Sequence, residues 1–283
     1  MSRKQVFLVL IILGLTGTLL YFRPASPSRK KPTLRKKFSV KEEVALLIQA
    51  LQSCSEETEP LLIEELRRKT GFSFGYRRES SREEKIMALG KWIKWWQKEK
   101  DFGLSEWLVH GLQDSHYKNK AGILRKMKML PSYPEGVESL INTAKNSLEA
   151  PEVRVLALEV LAKWRAKEGL LLFQEMTKEN SSDFIAAGLK GLASLKFCPS
   201  NLQDFLHHPS PKIRIEAAHL AWVTKGKKAF PMLLDLLQDE DEWVVFEVFS
   251  LLEDEMEKTK LQKEIQSRSI QPSLKKKLLA RLK

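Results

Sequence analysis

Strand signals are nearly missing from this sequence. No run alternates Val, Ile or Thr with polar residues, and no Asn-Gly or Asp-Gly pair marks a hairpin turn. That argues against a sandwich, a barrel or any sheet-based fold. Cysteine is scarce as well: Cys54 and Cys198 are the two in 283 residues. They are far apart and lack CxxC spacing, which excludes a disulfide scaffold and a cysteine zinc site and leaves two free thiols near helix ends. The five histidines include no HExxH and no i, i+4 pair, and His207-His208 before Pro209 fits the dipole-favoured end of a helix. A phosphate-binding glycine loop and a paired-carboxylate motif are absent, and a nucleophile-elbow serine is not expected. The expectation is a non-catalytic protein with no resident metal or cofactor.

Acidic residues are missing from the leading segment. Residues 1–40 carry nine Lys/Arg and no Asp/Glu, a charge of +9 out of a total of +12. The remaining 39 basic and 36 acidic residues give +3, so the folded part is nearly balanced and nucleic acid is not the expected partner. Val6 to Phe22 carries no charge, and seventeen helical residues span roughly 25 Å, the short end of a bilayer core. Twelve of the seventeen are Leu, Ile, Val or Phe, which favours insertion by roughly 5 kcal/mol. A cleaved signal peptide needs small residues at a cleavage site, and Arg23-Pro24 follows instead. Residues 1–22 are therefore expected to form one uncleaved transmembrane helix, with Val6, Leu10, Leu13 and Leu20 in the span and Tyr21 at the interface. Residues 23–38 form a basic Pro/Ser linker, free to lie on anionic lipid headgroups at about 1 kcal/mol per basic residue. The positive-inside rule places the following domain on the cytoplasmic side. A short basic N-terminus held inside would carry it to the extracytoplasmic or periplasmic side, and both remain open.

Periodicity dominates the rest. Val153-Arg154-Val155, Phe184-Ile185-Ala186, Ile213-Arg214-Ile215 and Val244-Val245-Phe246 open similar helical segments at offsets of 31, 29 and 31 residues. A fixed period of this size signals a stacked repeat array. Each unit reads as two helices. Pro211 to Gly226 pairs with Ala229 to Leu237, Pro151 to Lys163 with Gly169 to Met176, and Ser182 to Leu195 with Leu202 to Leu206. Ala121 to Leu130 pairs with Val137 to Ala144. Further back, Glu84 to Trp96 pairs with Leu104 to Leu112, and Val40 to Leu51 with Leu61 to Arg68. Gly71 to Arg78 reads as a longer loop, and Pro272 to Leu282 as a final amphipathic cap.

Glu152-Val153-Arg154 with Ala157 and Leu161, Lys212-Ile213-Arg214 with Ala217-Ala218, and Leu233 to Asp239 together resemble HEAT repeats, in particular the HEAT-like repeats of the phycobilisome-lyase type. The resemblance covers Pro151 to Phe249. It implies an α-solenoid used for binding and carries over no catalytic residue. Phe184-Ile185 and Val244-Val245 lack the arginine, so an Arg/Asp ladder along the stack would be interrupted. The fold expected over residues 39–283 is an all-α, HEAT-like solenoid of stacked helix pairs, clearest over 119–257.

Two features bear on partners. Lys91-Trp92-Ile93-Lys94-Trp95-Trp96-Gln97-Lys98 interleaves basic and aromatic residues. Ala88, Leu89, Trp92, Trp95 and Trp96 share one helical face, so they read as core, with Lys91, Lys94 and Lys98 solvated opposite. Charge is also blocked: Ala229 to Glu257 holds ten acidic residues and no Lys or Arg, Lys258 to Lys283 nine basic residues and one Glu. Lys91, Lys94, Lys98, Arg154, Arg214, Asp239 and Asp241 are the candidate partner surface. The leading expectation is a membrane-tethered scaffold for protein partners. The alternative is a nucleic-acid-binding helical-repeat protein of the DNA-glycosylase type.

Overall fold

The computed structural model describes residues 38–282, and among them every regular element is helical. The expected span, with Val6, Leu10, Leu13, Leu20 and Tyr21, lies outside the described residues. Within them no helix is long and apolar enough to cross a membrane. The chain divides into two compact units, one ending at Ser139 and the other beginning at Leu140.

The first unit holds α1 (Val40–Leu51), α2 (Glu59–Thr70), α3 (Arg82–Glu99), α4 (Leu104–Gln113) and α5 (Lys120–Met127). Two starts are written in the sequence as capping boxes. Ser39 accepts from the Glu42 amide at 3.2 Å while Glu42 accepts from the Ser39 amide at 2.8 Å. Ser81 and Glu84 repeat the exchange at α3. Helices α1 and α2 pack together, α3 stacks on α1, and α4 stacks on α2 and α5. Val44, Leu47, Leu66, Leu108, Ile123 and Leu124 are fully buried between them, each aliphatic chain contributing about 1.5–3 kcal/mol. One charged seam crosses this packing. Lys69 Nζ on α2 reaches Glu43 on α1 at 2.5 Å and Glu65 at 3.3 Å.

Helix α6 (Pro134–Lys145) carries the chain into the second unit. There follow α7 (Pro151–Trp164), α8 (Leu170–Met176), α9 (Ser182–Ser194), α10 (Leu202–Leu206), α11 (Pro211–Lys225), α12 (Phe230–Asp235), α13 (Glu242–Glu253), α14 (Lys258–Ser267) and α15 (Pro272–Arg281). Proline opens α7, α11 and α15, where its missing N–H costs nothing. The packing alternates: α7 on α9, α9 on α11, α11 on α13, with the short helices α8, α10 and α12 set against α9, α11 and α13. The periodic starts each bury their first apolar residue: Val153, Phe184, Ile213 and Val244 are all under a tenth exposed. Helix α14, anchored by buried Leu261 and Ile265, has no counterpart in the periodic reading.

Two devices let these helices approach. Phe173 on α8 is fully buried against Gly191 of α9, where an added Cβ would sit 2.1 Å from the phenyl ring. Between the next pairs, Arg214 grips Asp239 with two parallel bonds, Nε to Oδ2 at 2.7 Å and Nη2 to Oδ1 at 2.6 Å. Its Nη1 donates to the carbonyls of His208 and Pro209 at 2.8 and 2.9 Å, which leaves Arg214 only 6% exposed. Asp239 also accepts from the Asp241 amide at 2.9 Å, and Asp241 caps α13 through the amides of Trp243 and Val244.

Asp239→Ala strands a buried guanidinium and should lower unfolding free energy by about 3–5 kcal/mol. Asp241→Ala removes only the cap and should cost about 1 kcal/mol. Urea unfolding followed by far-ultraviolet circular dichroism measures both. Equal losses from the two substitutions would show that the clamp is no stronger than a cap.

Candidate functional site: a basic groove above an aromatic cluster

Seven rings meet in the first unit. Phe72 lies 5.0 Å from Trp95 and 5.1 Å from Tyr117 between centroids. Phe74 meets Trp92 edge-on at 4.7 Å, and Trp95 meets Trp92 at 5.6 Å and Trp107 at 5.3 Å. Trp96 closes the set against Trp107. Trp92 and Trp107 are fully buried, while Trp95 and Trp96 are half-buried. Trp107 donates its indole N–H to the Glu99 carbonyl at 2.7 Å. That of Trp92 has no partner among the described residues, a cost of about 1–3 kcal/mol that ring-on-ring packing has to offset.

The loop from Gly71 to Arg77 supplies two of these rings and is shaped by its attachments. Gly71 caps α2 in the left-handed region, φ 78°, and sits so close to α5 that an added Cβ would lie 2.9 Å from the Gly122 carbonyl oxygen. Ser73 donates its amide to the Tyr117 hydroxyl at 2.7 Å, and Arg67 Nη2 donates to the Tyr76 carbonyl. Phe72, Tyr76 and Tyr117 are buried, and Phe74 is half-buried. Burial pushes the Tyr117 phenol up to about 12.

Gly71-Phe72-Ser73-Phe74-Gly75 spells G-x-S-x-G, a string the expectation of no nucleophile elbow did not foresee. The elbow needs a strand running into a tight turn and a helix. Here the string follows helix α2 and leads into an irregular loop. Ser73 and His116 line the same groove, yet among the described residues no hydrogen bond joins them.

That groove has a volume of about 1220 Å³. Its walls are α2, the loop, α3, the α4–α5 connection and α5. Six cations line it, Arg67, Arg77, Lys91, Lys94, Lys118 and Arg125, against two carboxylates, Glu64 and Asp114. Glu64, largely exposed, lies 3.7 Å from Arg67, and Asp114 accepts from the His116 amide at 2.8 Å. Arg77, Lys91, Lys94, Lys118 and Arg125 make no ion pair among the described residues.

The expected partner surface is thus divided. Lys91 and Lys94 face the groove. Lys98 stands outside it, with Nζ 3.6 Å from the buried carboxylate of Glu99, which His110 Nδ1 approaches to 2.7 Å. Arg154 donates Nε to the Ala144 carbonyl at 2.9 Å and lies over the Phe184 ring at 4.6 Å. Arg214 and Asp239 are buried against each other and hold neighbouring helices together, while Asp241, half-buried, caps α13. A cavity of about 370 Å³ lies beside that clamp. Among the described residues no cluster of His, Cys, Asp and Glu has metal-binding geometry. Of the groove residues, Arg67 and Arg77 escaped the sequence reading, and Lys118 and Arg125 were read only as part of a charge block and not as candidate residues. The one signal for part of them was the block Lys118 to Lys128, five basic residues without an acidic one.

No family model matches this chain, and no curated protein matches it.

Tyr117→Phe removes the acceptor for the Ser73 amide and should cost about 1–3 kcal/mol in guanidinium unfolding at neutral pH. The raised phenol also sets a pH window. Its folded value lies above the ordinary 10.0, so its contribution is complete below pH 10 and is lost as pH rises towards 12. The difference in stability between wild type and Tyr117→Phe should therefore shrink across that window. A difference that stays flat would show that the phenol is not held neutral by burial.

Proposed function

We propose that this chain is a membrane-tethered, HEAT-like helical scaffold that binds protein partners and performs no chemistry of its own. The observation that carries the reading is the alternating packing of α7, α9, α11 and α13, with the short helices α8, α10 and α12 set against the last three. Helix pairs of this kind cannot bury their apolar faces alone. Stacking buries them together, and the product is a long surface in place of a deep catalytic pocket. The repeat residues that resemble HEAT repeats take structural roles here, the arginine of one repeat clamping the aspartate that follows its second helix. The apolar run Val6 to Phe22 supplies the tether and makes the protein single-pass, and the basic linker adds attraction to anionic headgroups. The positive-inside rule favours the cytoplasmic face for the helical part.

The basic groove favours a second reading, nucleic-acid binding of the DNA-glycosylase type. That reading needs ring faces open to bases and an acidic group free to act. Three of the groove's rings, Phe72, Tyr76 and Tyr117, are buried and Phe74 is half-buried, and of its two carboxylates Glu64 lies beside Arg67 and Asp114 accepts the His116 amide.

Two measurements test the proposal. Full-length protein should enter the detergent phase on phase partition and resist extraction from membranes at alkaline pH; release into the aqueous phase overturns the tether. Crosslinking of full-length protein in its membrane, followed by purification, should recover a defined protein partner. Recovery of none overturns the scaffold.

A further inference from the structure

The first unit places five cations around one groove and gives none of them a carboxylate. Arg77 comes from the loop, Lys91 and Lys94 from α3, Lys118 from the α4–α5 connection and Arg125 from α5. All five are exposed. From these we propose that the groove is the docking site for an acidic peptide segment of a partner protein. The assignment rests on the scaffold reading and names the chemistry of the partner it would hold.

Three observations select a peptide. The first is charge complementarity. Carboxylates along a segment would neutralise cations that the protein itself leaves open, and guanidinium groups such as those of Arg77 and Arg125 suit carboxylates in forked geometry. The second is size. A groove of about 1220 Å³ exceeds the roughly 300–1,000 Å³ of ordinary small-ligand pockets. Its cations come from four separate elements, so they favour a segment over a compact anion. The third is the floor. The lining residues Phe72, Tyr76 and Tyr117 are less than a tenth exposed. Single-stranded nucleic acid would find only the half-buried Phe74 to stack on among the lining rings. Half-buried Phe74 leaves a small apolar wall, fit for an aliphatic side chain set between the acidic ones.

The test uses full-length protein in neutral detergent micelles and a fluorescein-labelled peptide of repeated Glu-Glu-Leu, read by fluorescence anisotropy. Wild type should bind it with an affinity that falls as salt is raised. Lys91→Glu with Lys94→Glu should weaken binding about tenfold or more, and Arg77→Glu with Arg125→Glu should do the same by an independent route. Lys163→Glu with Lys190→Glu, an equal charge change on exposed residues of the second unit, should leave it within about twofold. Near-ultraviolet circular dichroism of the tryptophan cluster verifies that each variant is folded. Three results overturn the assignment: equal weakening by the second-unit pair, no weakening by either groove pair, or tighter groove-dependent binding of an oligothymidine than of the peptide. Failure of the scaffold reading looks different. If crosslinked partners persist unchanged in the groove variants, the scaffold stands and the groove is not its docking site. If no partner crosslinks to wild type at all, the scaffold falls whatever the peptide does.

Discussion

A helix of five to seven residues cannot hold itself in water, since nucleation is costly and isolated helices below about 12–15 residues are marginal. This chain contains α8, α10 and α12, with seven, five and six residues. Each exists because it lies against a longer neighbour. Phe173 brings α8 onto α9, Phe205 and Leu206 bring α10 onto α11, and Leu233 and Leu234 face inward from α12; all five are less than a tenth exposed. The longer helices depend on the same contacts. Among α9, α11 and α13, the buried residues are Ala, Val, Leu, Ile, Phe and Gly almost throughout. Shared burial is therefore the term from which the architecture of each unit follows.

Close approach needs something at each seam, and the chain uses different solutions. Between α8 and α9 the answer is steric: a glycine opposite a phenyl ring, where one extra methyl group would force repacking. Near α11 and α13 the answer is polar. Arg214 makes two bonds to Asp239 and two to carbonyls, so its desolvated charge is well satisfied. At the corresponding place on α7, Arg154 finds a carbonyl and the Phe184 ring instead of an aspartate. The phenylalanine that opens the next helix takes the place of a second charged partner.

Much of this packing was legible because burial writes a period into the sequence. Val153, Phe184, Ile213 and Val244 could be aligned by spacing alone, and each starts a helix with its side chain inside. Ser39-Glu42 and Ser81-Glu84 form capping boxes whose chemistry stands in the sequence but went unread, and the second of these helices starts at Arg82, ahead of the expected Glu84. Segments without a period were less legible. Gly71 to Arg78 reads as a loop, but nothing local shows that Phe72 and Phe74 fold back onto tryptophans twenty residues on. Arg214 and Asp239 are 25 residues apart; charge type alone put both on a partner surface, whereas their pairing depends on how two helix pairs meet. The groove suffers from the same difficulty. Its lining comes from residues 64 to 125, and a sequence reads neighbours in order, not neighbours in space.

The two units thus spend their charges differently. In the second unit, Arg214 and the Asp239–Asp241 turn are consumed in holding helices together, and the block of acidity there is partly a set of caps and clamps. In the first unit the groove is held mainly by neutral groups: seven packed rings, the Ser73 amide on the Tyr117 hydroxyl, and the close contact of Gly71 with α5. Arg67, bonded to the Tyr76 carbonyl, is the one lining cation that helps fix the loop. Like charges gathered on one rim repel, weakly in water and within a screening length of about 8–10 Å at ordinary salt. Aromatic packing is indifferent to that repulsion, so it can hold the loop in place without neutralising the rim. A groove built in this way keeps its positive field, which a groove closed by ion pairs would have cancelled.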